Sequence, residues 1–127
     1  AFTRAPAIIS VLPVAAAIDP VFELIETHRK THIAHMSSLD LQARFERRYG
    51  IGEGSCISTQ PCHDEHDAFT AFEAEPATTV QGLLAKLAYF NELASEFETE
   101  WMIHDRAEAA VLIQSFAASL RNIGVQS

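Results

Sequence analysis

"DPVFELIETHRKTHIAHMSSLDLQARFERRYG", residues 19–50, is the stretch whose reading decides the fold. Asp19 ahead of Pro20 is a helix start. The carboxylate can accept from backbone N–H groups that have no intrahelical partner, and proline lacks the N–H that would go unused at the first helical position. No glycine or proline follows until Gly50, where Gly52 and Gly54 reinforce the stop. Within the stretch, "SSLD" (37–40) is the place where an interruption is expected, because Ser and Asp offer the backbone competing hydrogen bonds. At 3.6 residues per turn, Val21, Ile25, His28, His32, Met36 and Leu39 fall on one arc, with His35 beside it. The stretch therefore predicts a long amphipathic helix carrying two histidines, His28 and His32, on its inward stripe.

Similar punctuation divides the rest. A loop is expected from Gly50 to Pro61, then a short helix over "CHDEHDAFTAFEAE" (62–75) that buries Phe69 and Phe72. Its acidic start, Asp64, Glu65 and Asp67, suits the positive end of a helix dipole, and Pro76 ends it. Thr78 with Gln81 forms a capping box ahead of a third helix, whose stripe is Val80, Leu83, Leu84, Leu87, Phe90 and Ala94. Ser95 with Glu98 is a second capping box. A last helix presents Met102, Ala109, Leu112, Ile113, Phe116, Leu120 and Ile123 before Gly124. Nothing reads as a strand pair. The expected fold is all-α: about four helices in an antiparallel bundle, forming a single domain over residues 19–127.

Residues 1–18, "AFTRAPAIISVLPVAAAI", are apolar and small. Two readings stand. They are a signal-peptide remnant, which would make the protein exported or periplasmic, or an apolar arm lying on the bundle or a neighbouring subunit of a cytoplasmic protein. Pro6 and Pro13 interrupt the stretch, and it is too short to span a bilayer. No transmembrane segment is expected. Cys56 and Cys62 enclose five residues and form a disulfide if the compartment is oxidising. Two separate thiols are the alternative.

With 127 residues, 48% of them apolar and 20% charged, the chain can bury a core without metals or disulfides. Its net charge of −8 argues against nucleic acid as a partner. The short basic cluster of Arg44, Arg47 and Arg48 belongs at a helix C-terminus, where cations oppose the dipole.

Two imidazoles one turn apart can hold half of the coordination sphere of a transition metal such as zinc. The expected supply of further ligands is His63 and His66, with Asp67 beside them. Glu100 and His104 are a further i, i+4 pair, off the apolar face of the last helix. A di-iron carboxylate site is disfavoured, since no Glu-x-x-His occurs. The bland alternative is that His28 and His32 pack as amphipathic rings with their nitrogens bonded. No GxSxG, GxGxxG, P-loop or HExxH motif is present, and no catalytic residue is assigned. Phe22, Ile33, Tyr89 and Trp101, at the edges of apolar faces, are candidate anchors for a partner.

"DPVFELIETHR" and "EHDAFTAFEAEPATTVQGLLAKLAYF" resemble a group of small alphaproteobacterial proteins, common in rhizobia. That group shares a leader-like "RAP…A" start, a "DPIF..IE.HR" segment, an acidic helix and "P.TT..GL.ALL.Y". The resemblance covers residues 4 to 90. It implies a bacterial source and a single unit over 19–94, and it brings no activity and no catalytic residue. The functional expectation is a non-enzymatic helical protein acting as a homo-oligomer or on a partner protein. Its alternatives are a metal-binding bundle built on the His28/His32 pair, and a bundle that holds a small apolar ligand between its helices.

Overall fold

The first helix, α1 (Pro20–Tyr49), runs unbroken for 30 residues in the computed structural model, which describes residues 18–52, 56–96 and 106–126. Asp19 is its N-cap, with Oδ1 accepting from Val21 N at 3.0 Å. "SSLD" does not interrupt it. Ser38 turns its hydroxyl back onto the His35 carbonyl at 2.7 Å, so the competing hydrogen bond is satisfied within the helix. Gly50, at φ 113°, ends the helix in a conformation open to glycine.

Three helices follow: α2 (Thr59–Ala74), α3 (Val80–Glu96) and α4 (Arg106–Gln126). Among the described residues there is no strand. Helix α2 starts three residues earlier than its sequence suggests. Pro61 sits inside the first turn, where its missing N–H costs nothing. Asp64, Glu65 and Asp67 consequently lie beyond the first turn, and the expected dipole role is not theirs.

The contacts fix the directions. At one end of α1, Gln42 accepts from Ser58, which precedes α2, and Ile25 and Phe72 meet in the core at the other. Helix α3 runs back alongside α1, with Asp19 bonded to Thr78 and Thr79 and Arg29 bonded to Glu92. Helix α4 reverses again, Ser115 meeting Lys86 and Ser119 meeting Ala77. The result is an up-down-up-down antiparallel bundle.

Val21, Ile25, Phe69, Phe72, Ala77, Tyr89 and Leu93 form the core. Phe72 is completely buried, edge-on to Tyr89 at 5.3 Å and tilted against Phe90 at 4.9 Å. Aromatic pairs in such geometries add to the apolar area they bury.

Two faces differ from the sequence reading. On α3 the buried residues are Gly82, Lys86, Tyr89 and Leu93, about a third of a turn from the expected stripe, while Val80, Leu84 and Leu87 are exposed. On α4, Ser115 and Ser119 face inward while Ile113 and Leu120 are exposed.

One set of polar contacts accounts for both shifts. Lys86 Nζ donates to the carbonyls of Glu73 and Glu75 at the end of α2, and to Ser115 Oγ, at 2.9, 2.7 and 2.7 Å. Three donors meet three acceptors, so this ammonium is buried fully hydrogen-bonded and placed at the negative end of a helix. Ser119 Oγ accepts from Ala77 N, and Asn122 donates to the Ala77 carbonyl, clamping the α2–α3 turn.

Capping also departs from expectation. Helix α3 is capped by Thr79, whose hydroxyl accepts from Gly82 N at 2.9 Å, rather than by a Thr78–Gln81 box. Asp19 Oδ2 in turn accepts from Thr78 N, Thr79 N and Thr79 Oγ1, so one carboxylate caps α1 and organises the start of α3. Ser95 lies inside α3 and bonds back to the Asn91 carbonyl, so it is not an N-cap. The N-terminal arm, Glu98, Glu100, Trp101, Met102 and His104 lie outside the described residues.

Candidate functional site

The inward stripe of α1 carries three imidazoles, and α2 supplies the group they share. His28, His32 and His35 follow one another at i, i+4 and i+7, so successive rings stack along one side of the helix. Opposite them, Glu65 is 3% exposed. His32 Nδ1 lies 2.6 Å from Glu65 Oε2, and His35 Nδ1 lies 2.6 Å from Oε1. His28 Nε2 lies 3.3 Å from Oε2 but out of line for a hydrogen bond, and this fully buried nitrogen has no hydrogen-bond partner. The other nitrogen of the same ring, Nδ1, is 2.5 Å from Tyr89 Oη on α3. The His28 ring is thus wedged among Phe69, Tyr89 and His32.

Burial of Glu65 opposes its ionisation, but the three imidazoles together outweigh that effect and hold its carboxyl down at about 2. The site is a fixed negative charge under imidazole donors, closed to solvent at His28 and partly open at His32 and His35.

His63 and His66 do not join this cluster. Both are exposed, as is Asp67. At 100° per residue, His66 and His63 point away from the direction of Glu65 on the same helix, so the face that brings Glu65 inward turns them out. The structure brings His28 and His32 together with His35 around Glu65, and leaves His63 and His66 apart from them. As these side chains stand they are hydrogen-bonded to one another. Among the described residues no group of three or more His, Cys, Asp or Glu could hold a metal ion. Cys56 and Cys62 are exposed and unlinked, the second of the two arrangements open for them.

Sequence reasoning missed Glu65 as the centre and placed His35 at the margin. The signal available was the spacing alone, since an i, i+4, i+7 set of histidines asks for a shared partner. Tyr89, expected at an edge, is 3% exposed and supports His28 from behind.

A second feature adjoins the cluster. Between α1 and α3 runs a groove of about 360 Å³ lined by Phe22, Ile25, Ala88 and Tyr89. Arg29 and Glu92 pair across it at 2.6 Å, and the Arg29 guanidinium lies 4.7 Å from the Tyr89 ring centre.

The third feature is apolar surface. Helix α1 is about 45 Å long, while α3, with 17 residues, is about 25 Å. Beyond the level of the Arg29–Glu92 pair, Ile33, Met36, Leu39, Leu41, Phe45 and Tyr49 are exposed. Among the described residues no helix is long and apolar enough to cross a membrane. No family model, curated protein or solved structure matches the chain.

Proposed function

We propose that this chain is a non-enzymatic helical protein that acts by association, with copies of itself or with another protein, through the overhanging half of α1. The observation that carries this reading is the run of exposed apolar residues there, with Ile33 64% exposed and Met36 and Leu39 prolonging the inward stripe past the reach of α3. Met36 and Leu39 lie a turn apart on one face, and exposed apolar surface that continues a buried stripe is a candidate interaction site. Burying each such side chain on association is worth on the order of 1.5–3 kcal/mol, against the entropic cost of bringing two molecules together.

The test is sedimentation equilibrium of the full chain over a wide concentration range, alongside a Met36→Glu, Leu39→Glu double variant. Both positions are exposed, so the fold should tolerate the charges. The expected result is concentration-dependent assembly that the variant abolishes while its helical content stays unchanged. A wild-type chain that is monomeric throughout overturns self-association. Assembly indifferent to the two charges overturns the assignment of the surface.

A further inference from the structure

We propose that the outer face of the α3–α4 pair is the contact through which two copies of this chain form a two-fold dimer. Two apolar rows meet on that face. On α3 the row is Val80, Leu84 and Leu87, and on α4 it is Ile113, Ala117 and Leu120, each with the alternating four-three spacing of a helix-packing seam. The five large residues are 45–65% exposed.

The packing beneath them puts both rows on one side of the bundle. Phe90 and Phe116 meet between α3 and α4, their ring centres 6.2 Å apart. At 100° per residue, Leu87 lies next to Phe90 around α3, and Ile113 and Leu120 lie next to Phe116 around α4. Because the two helices run in opposite directions, both rows are turned outward to the same side. Leu120 comes level with the turn of α3 that carries Leu84 and Leu87.

Charge selects the occupant. From Val80 to Ser95 and from Ala109 to Leu120 the only charged residues are Lys86 and Glu92. Lys86 is completely buried, and Glu92 is paired with Arg29 on the α1 side. Arg121 stands at the rim, beside Leu120. Two chains of net charge −8 repel each other, and apposing this uncharged face leaves the carboxylates of both copies in water. A membrane surface is the poorer fit, since helices that lie on anionic lipid hold it through several Lys and Arg beside their apolar face.

Size and shape agree with a second copy. A pair of helices, each about 10 Å wide and about 25 Å long, presents roughly 500 Å² per copy, so a dimer covers on the order of 1,000 Å², where specific interfaces begin. A two-fold axis along the bundle lays α3 of each copy on α4 of the other. Leu84 and Leu87 then face the gap that Ala117 leaves between Ile113 and Leu120, and the contact closes at two chains. The dimer is independent of the α1 overhang, whose Met36 and Leu39 belong to another helix and another face.

Sedimentation equilibrium of the full chain tests this, alongside a Leu87→Glu, Leu120→Glu double variant and the Met36→Glu, Leu39→Glu variant. The wild type should form dimers. Charges at 87 and 120 should raise the dimer dissociation constant about 100-fold or more, because four carboxylates would be enclosed without partners. Charges at 36 and 39 should leave the dimer intact and remove only assembly beyond it, so the two surfaces fail separately. Circular dichroism checks that each variant is folded. Should the first variant unfold, hydrogen exchange of the wild type answers the same question, with protection of α3 and α4 rising as concentration is raised. A wild-type chain that is monomeric throughout overturns the proposal and leaves the face to another occupant. So does a dimer that persists in the folded Leu87→Glu, Leu120→Glu variant, or concentration-dependent protection confined to α1.

Discussion

Replacing Gly82 by alanine pits two physical effects of opposite sign against each other. Gly82 is in the first turn of α3, and alanine at a helical glycine ordinarily stabilises by up to about 1 kcal/mol. Here, however, an added Cβ would overlap the Asp19 carboxylate, meeting Oδ2 and Cγ. Asp19 must then withdraw from Thr78 N, Thr79 N and Thr79 Oγ1, or α3 must shift away from α1. Hydrogen bonds to a charged acceptor are worth about 1.5–3 kcal/mol each, but they are not additive and water recovers part of the loss. A net cost of about 2–4 kcal/mol follows, a large share of the stability of a small domain.

Urea unfolding followed by circular dichroism measures this cost, and an Asp19→Ala background makes the reasoning refutable. Asp19→Ala should itself cost about 2–4 kcal/mol, from the lost N-cap and the donors left behind. With the carboxylate gone, Gly82→Ala should become neutral or stabilising, because only helix propensity remains. Such a reversal is the signature of two residues sharing one interaction. Equal costs in both backgrounds, or a stabilising Gly82→Ala in the wild type, would refute the close approach of Asp19 to α3.

The other side of the core yields two further expectations. Burial, reinforced by Glu108 and opposed by Lys86, pushes the Glu73 carboxyl up from 4.5 to about 7. The folded state therefore binds this proton more tightly than the unfolded chain, and stability falls as pH rises between those values. Glu73→Gln should flatten that slope and be more stable than wild type at pH 8 by about 1–3 kcal/mol, with little difference near pH 4; parallel urea curves for the two proteins across the range would refute it. The chain has Lys30, exposed on α1, and Lys86, completely buried. Brief acetylation of the native protein, read by mass spectrometry, should modify Lys30 and spare Lys86, and equal labelling would contradict the packing of α3 against α2 and α4.

The fold was legible where punctuation and periodicity agree. Asp19–Pro20 and Gly50 bound α1 because capping and the loss of an N–H are local effects that need no partner. The faces of α3 and α4 were not legible, because the residues that decide them are polar. Lys86 counts as a surface residue until its three acceptors are known, and Ser115 and Ser119 look neutral until they receive Lys86 and the Ala77 N–H. Hydrophobic periodicity places the stripe on leucines, and tertiary hydrogen bonds turn the helix by about a third of a turn.

At the site, His28 and His32 could be placed inward from the sequence, because a 3.6-residue period needs only α1. Glu65 could not, since its direction depends on where α2 begins. That start follows from Pro61 being tolerated within the first turn rather than ending the preceding loop. His63 and His66, which flank Glu65 in the sequence, were the natural choice and lie on other faces of α2.

Glu65 is the hinge of this account, because three imidazoles of α1 depend on one carboxylate of α2. The direct measurement is a long-range nitrogen–proton correlation of the histidine rings in the wild-type chain and in Glu65→Gln. The ring signals of His28, His32 and His35 should be displaced from those of solvent-exposed histidines and all move on substitution, while those of His63 and His66 stay close to their exposed positions. Three rings indistinguishable from His63 and His66, or unmoved when Glu65 is replaced, would contradict it.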